Sequence, residues 1–484
     1  MTGETPGETL DETLGQTLGE TNVLHRPPLA LLSHRYRDLC RAGLAAFLFL
    51  AALFNGSVSP PYTQLTGGLA ALLALFCLLV RTTSSGLRRL VRSTALILIL
   101  AAIWGGLQII PLPIGPLTHP VWQQAGAALD LSAGYLSVRP LRTLAALPAL
   151  ILPGLVFLCT LVLCQSPRSA KRVWVALSLT GAAIVLLSIV LEVFFPQARV
   201  FTSYPVSYGS FSGVFVNRNV AASFFGLTAF ALAGSLQILK PAHRLQRTGH
   251  HAGPAPSPAR VSLVQPALWL LLFAALIAII ATRSRAGALL SLPLLVLCLA
   301  IVSAHAHRNG RTARVLLVLG GGGLLLLLFG EPVFSRLGGA AGDPRWCAWA
   351  ATLAAIRDNL WTGTGFGTFA DVFPGYRDPV CLGTEGSWHR AHNAYLELVL
   401  GFGLPAALLL LGLSVRLLLK TCLTGLRRRR SLRAIPVLTL GALAFVSAHS
   451  LVDFPLQIPG IAYYCAALLG AGCAISLLET PHRR

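Results

Sequence analysis

Charge is scarce in this chain. Of 484 residues only 11% are charged, while 55% are hydrophobic. A soluble domain of this length would need far more charged surface, so a soluble class is excluded. Hydrophilic stretches between apolar segments are equally scarce, and the one long example is residues 331–391. Acidic residues are few, 17 against 38 Lys and Arg, for a formal charge of +21. No cleavable leader is expected, because the first 22 residues are acidic and polar and the first apolar run begins near Gly43.

Apolar runs dominate instead. They predict spans at 43–59, 65–80, 93–110, 143–164, 173–195, 219–239, 263–281, 286–303, 315–330, 392–415, 435–452 and 459–478. Runs of this length fit roughly 30 Å of hydrocarbon. The expectation is an all-α polytopic integral membrane protein of about twelve transmembrane helices, with both termini on one side. By that topology 27 Lys and Arg lie on the side of the termini and 11 on the other. The positive-inside rule makes the first side cytoplasmic. The basic charge is therefore read as topology, and nucleic acid is not expected as a partner.

The predicted divisions are a low-complexity tail and basic anchor (1–40), helices 1–9 (41–330), an outward loop domain (331–391), helices 10–12 (392–478) and a short tail (479–484). Residues 3–22 repeat a Gly-Glu-Thr-like tetrad and read as a disordered cytoplasmic tail. Residues 241–262, with His250, His251 and several prolines, read as a cytoplasmic linker rather than a metal site. In the long loop, Asp343-Pro344 looks like a helix start. Trp346, Trp349, Leu353 and Ile356 then recur at helical spacing, predicting an amphipathic helix of about four turns. Cys347 and Cys381 both face outward, where a disulfide is permitted.

All eleven outward basic residues are Arg. Arg218 precedes a span, and Arg283 and Arg285 lie in a tight turn between two spans. Either they snorkel to lipid phosphates, or they form an anionic site, since guanidinium offers bidentate donors to phosphate. His392-Asn393 opens a predicted span at the same level, and a neutral imidazole there can accept a proton. Glu397 needs a partner at that depth, an Arg or the His, while Asp453, at the outer end of another helix, could pair with an outward Arg or act on a sugar hydroxyl. His389 and His392 are spaced for a metal, but no third ligand is evident, so neither metal nor cofactor is expected. The glycine turn Gly363, Gly365, Gly367 is read as loop geometry, because no strand–helix unit surrounds it.

Several segments, in order, resemble the O-antigen ligase and Wzy-type polymerase family. They are Phe215–Asn219, Thr282–Gly287, Arg345–Ile356, Trp361–Phe369, His392–Glu397 and His449–Phe454. The resemblance covers roughly residues 95–478. It implies a GT-C-like fold of twelve helices, with a large periplasmic loop before a His-bearing helix 10, in the bacterial inner membrane. It further implies metal-independent, inverting transfer of glycan from an undecaprenyl-diphosphate-linked donor to lipid A-core or to a growing glycan. By position, Arg218 and Arg285, with Arg283 beside them, would hold the diphosphate and His392 would act on the acceptor hydroxyl. Asn393, Glu397 and Asp453 would support the site. Transfer to protein by an O-oligosaccharyltransferase stays open. A transporter or flippase of lipid-linked saccharides is the alternative, but the charges gather at helix ends rather than at the midplane.

Overall fold

Backbone polar groups in hydrocarbon must pair within their own segment, so the apolar runs fold as helices. The structure, a computed structural model, describes residues 28–80, 84–196, 201, 211–240, 263–304, 343–380, 386–428 and 432–478. The expected span 315–330, the tetrad tail, the 241–262 linker and Cys381 lie outside the described residues. The bundle helices are α1 (Pro28–Leu53), α2 (Pro60–Leu78), α3 (Ser85–Leu107), α5 (Pro140–Leu163), α6 (Pro167–Phe194) and α7 (Arg218–Ile238). They continue with α8 (Val264–Ala281), α9 (Arg285–Ala304), α13 (Leu404–Arg428), α14 (Ala434–His449) and α15 (Pro459–Leu477). Among the described residues nine helices are long and apolar enough to cross a membrane, and α14 is apolar but shorter. α1 begins at Pro28, well before the expected span at 43 and inside the expected tail.

Burial sorts the bundle. In α7 and α15, 89% of the apolar window is buried, against 17% in α3 and α13. The first two therefore form the centre, and the second two present exposed leucines and isoleucines outward, as lipid-facing helices do. Small residues allow the central contacts, since helices in lipid associate by close packing. Gly234 of α7 lies against the Trp174 indole, whose Nε1 donates to Ala231 O at 2.8 Å. Gly472 of α15 lies against Thr439 of α14.

One end of the bundle carries an added layer. Between α3 and α5, strands β1 (Leu112–Pro113) and β2 (Ala133–Gly134) pair antiparallel around α4 (Pro120–Leu129), a small β element in an otherwise helical chain. The long loop contributes α10 (Arg345–Asp358) and α11 (Phe369–Tyr376), followed by α12 (Ala394–Phe402). Arg139 and Arg142, flanking the start of α5, hold Asp371 of α11 at 2.6 and 3.1 Å.

Two expectations change here. The four-turn helix forms, but its buried face is Ala348, Ala351, Thr352, Ala355 and Ile356, while Trp346 and Leu353 are exposed. The small face lets α10 approach Phe369, Phe373 and Leu400 closely. The expected span 392–415 is also two helices, broken at Gly403, with φ +76. The spanning helix starts at Leu404, and α12 lies ahead of it.

The break is stabilised from outside. A helix end leaves carbonyls without intrahelical partners. Leu400 O accepts from Thr364 N at 2.8 Å, and Gly401 O accepts from Gly365 N at 3.1 Å and Gln108 Nε2 at 2.7 Å. Phe402 O accepts from Trp104 Nε1 at 3.0 Å. A Cβ on Gly363 would strike Gly401 and Gly403, so the glycine turn is the shape that lets the loop backbone reach these carbonyls.

Candidate active site

Polar side chains shape several helix starts at the layered end. Asn217 Oδ1 accepts from the backbone N–H of Asn219 and Val220, both at 2.9 Å, and starts α7. Asn393 Oδ1 accepts from Tyr395 and Leu396, both at 3.1 Å, and starts α12. Asp343 Oδ1 accepts from Arg345 N at 3.1 Å at the start of α10. The turn into α9 is shaped by Thr282, whose Oγ1 donates to Ile279 O at 2.6 Å and accepts from Ser284 N at 3.2 Å.

Asp453 is where these starts meet. Its side chain is 3% exposed. Asn219 Nδ2 donates to Oδ2 in a short bond, and Arg345 Nη2 stands 3.7 Å from the same oxygen. On the other side His392 Nδ1 faces Oδ1 at 3.4 Å, and Phe454 N donates to Oδ1 at 2.9 Å. Ser284 Oγ donates to Asn219 Oδ1 at 2.8 Å, which fixes the amide orientation. Arg345 Nη1 also donates to Val452 O at 2.9 Å. Four helix N-termini, those of α7, α9, α10 and α12, are thus joined through one carboxylate. Their positive dipole ends favour an anion here. Burial drives the Asp453 carboxyl upward, but His392, Arg345 and His449 outweigh it and hold it below the usual carboxylate range.

His392 sits in a left-handed backbone conformation, φ +54, uncommon for a residue with a side chain. Its ring lies edge-on between Trp388, 5.7 Å away, and Phe454, 4.8 Å away. The side chain is 28% exposed, so it can reach a substrate. Glu397 is buried one turn beneath. Its Oε1 accepts from Ala391 N at 2.6 Å, and its Oε2 pairs with Arg390 Nη1 at 3.4 Å. Of the partners expected for it, an Arg or the His, the Arg is found. Burial pushes this carboxyl above its usual range, against the pull of Arg390 and the Ala391 amide.

The arginines divide. Arg285 Nη2 stands 3.5 Å from Asp343 Oδ2, and Asp343 Oδ1 stands 3.8 Å from Arg345 Nε. Arg285 is therefore joined to the Asp453 cluster through Asp343, by two ion pairs. Arg218 is half-buried at the first position of α7, one residue before Asn219. Arg283 is exposed at φ +53, and its side chain has no partner among the described residues. Asn393 is a helix cap.

Asn219, Ser284, Asp343 and Arg345 were not singled out as site residues in the sequence. Asn219 and Ser284 adjoin the expected Arg218 and Arg285, and the signal available was a polar residue beside an outward Arg at a helix start, while Asp343 and Arg345 stood only in the expected start of the loop helix. Cys347 is disulfide-bonded, while the other eight described cysteines are free and buried.

Residues 270–411 match the family model described as O-antigen ligase, Wzy_C. The matched stretch contains Arg283, Arg285, Asp343, Arg345, His392 and Glu397, while Arg218, Asn219 and Asp453 lie outside it. No curated protein matches the chain. The family match supports the resemblance to O-antigen ligases and Wzy-type proteins. With the apolar helices it indicates a multi-pass membrane protein in a ligase or polymerase role on lipid-linked glycans.

Proposed function

Starting from an O-antigen ligase-like chain, we propose a membrane glycosyltransferase that moves a glycan from an undecaprenyl-diphosphate carrier to an acceptor hydroxyl. The observation that carries this reading is the meeting of His392, Asn219 and Arg345 on the buried carboxylate of Asp453. Asp453 faces Nδ1 of His392 and orients the ring, which leaves Nε2 for the acceptor. The acceptor oxygen forms a bond to the anomeric carbon as that carbon's bond to the diphosphate oxygen breaks. The hydroxyl proton passes to His392, and the Asp453 charge stabilises the imidazolium that results. Undecaprenyl diphosphate departs with the bonding electrons. Arg285 and Arg218 stabilise its charge with planar donors, helped by the helix N-termini. Attack from the face opposite the leaving group inverts the centre. The chemistry needs no metal, since guanidinium groups take the place of a Lewis acid.

The basic loops at the opposite end of the bundle support an inner-membrane orientation with cytoplasmic termini and a periplasmic site. The acceptor is lipid A-core for a ligase and a growing glycan for a polymerase. Arg285→Ala and His392→Ala should each abolish glycan transfer while the protein still inserts normally, and wild-type rates in both would overturn the site. Purified protein should also transfer glycan in EDTA. In a deletion strain, loss of all long chains from lipid A-core identifies a ligase, and retention of single repeats identifies a polymerase.

A further inference from the structure

Two acids touch the arginine cluster, and their surroundings differ. Asp453 is 3% exposed and held from several sides. Asp343 is 22% exposed and reaches two guanidiniums, one with each oxygen: Arg285 at 3.5 Å and Arg345 at 3.8 Å. Both separations are longer than a well-made charge-assisted bond. The arginine side chains are themselves 30% and 26% exposed. Such pairs are weak and exchangeable.

We propose that Asp343 is a resident counter-anion of the donor site, which the incoming diphosphate displaces from Arg285 and Arg345. This rests on the reading that Arg285 binds the donor diphosphate. Both partners can survive the exchange. Arg345 keeps Val452 O at 2.9 Å and Asp453 at 3.7 Å, so it does not lose its place. Asp343 keeps the Arg345 backbone N–H at 3.1 Å, at a helix N-terminus where a negative charge is favoured. A diphosphate carries more charge and more acceptor oxygens than one carboxylate, so it wins the competition. An anion with a single charge gains little over Asp343 and is discriminated against. Asp343 thereby neutralises clustered guanidiniums when the site is empty and raises the threshold for entry.

The test uses the full-length protein in detergent, with undecaprenyl diphosphate as the probe. Asp343→Asn and Asp343→Ser both retain a side-chain oxygen able to accept from Arg345 N, so loss of that bond is not confounded with loss of charge. Each should tighten Kd about fivefold, equivalent to about 1 kcal/mol. In transfer assays KM for the donor should fall without a rise in kcat. Arg285→Ala should weaken Kd tenfold or more. If Arg285→Ala weakens binding but neither Asp343 variant tightens it, the counter-anion role is refuted and the donor reading stands. If Arg285→Ala leaves Kd unchanged, the donor reading fails and this inference fails with it.

Discussion

Asp453→Asn is the most informative perturbation, because it removes a charge while keeping the side chain's shape. The carboxylate stands 3.4 Å from His392 Nδ1. At an effective dielectric of about 20, two unit charges at that distance interact by about 5 kcal/mol. His392 is 28% exposed, and solvent screening removes about half of this. About 2–3 kcal/mol of imidazolium stabilisation then disappears from the transition state, which lowers kcat about 30- to 150-fold. The asparagine has one carbonyl oxygen in place of two carboxylate oxygens, so it can accept from Asn219 or from Phe454 but not from both, and the unmatched donor should cost about 1–3 kcal/mol of stability. Arg345 retains Val452 O and Asp343, so the lost pair should cost only about 1 kcal/mol of stability. The assay is single-turnover transfer from a lipid-diphosphate donor by purified protein, beside thermal melting in the same detergent. The wild-type carboxyl is held below its usual value, so it stays charged at and above the ordinary carboxylate range. Its support is lost only as pH falls through the depressed value. A kcat within threefold of wild type, measured below the variant's melting temperature, would refute the role given to Asp453.

Gln108→Ala should be the most damaging change remote from His392. It removes three hydrogen bonds, to Gly401 O, Thr362 O and Phe366 N, at 2.7–3.1 Å. At about 1 kcal/mol each, the loss is about 3 kcal/mol, read as a lower melting temperature and faster proteolysis between α12 and α13. An unchanged melt would show that the break at Gly403 holds without Gln108. Glu397→Gln should act in the other direction. The wild-type carboxyl is raised by burial, so the folded protein binds this proton more tightly than the unfolded chain. Stability is then highest below the ordinary carboxylate value and falls as pH rises through the raised one. The glutamine keeps an acceptor for the Ala391 amide, so its melting temperature should drop less than the wild type's between pH 5 and 8. Superimposable profiles would contradict this.

Much of the site was legible because its residues stand at helix starts, where sequence signals are strongest. Asn217 before Arg218 and Asn393 after His392 are polar residues at the mouths of apolar runs, and each is a cap; Asp343 accepts from Arg345 N one residue ahead of Pro344, which takes the N-cap position of α10. Partners were harder to read. Asn219 and Asp453 lie over 200 positions apart, and nothing local to either announces the other. The face of α10 was misread because Trp346 and Leu353 outweigh alanine on any hydrophobicity scale. Close packing against α11 and α12 selects the small face instead. The break at Gly403 was hidden in an unbroken apolar run. Its cause is a glycine turn some 40 residues earlier together with Gln108.

The sequence by itself determined that this chain crosses a membrane, because scarce charge and long apolar runs leave backbone pairing within helices as the solution. It also determined which end of the helices carries arginine and histidine, since position relative to each run follows from counting. Only the tertiary structure decided what those residues do to one another. Asp453 became the centre because packing of α7, α9, α10, α12 and α14 buried one carboxylate among donors from distant segments. Asp343, the same residue type, was left partly exposed between two arginines. That difference in burial separates a fixed partner from an exchangeable one, and it exists only once the helices are assembled.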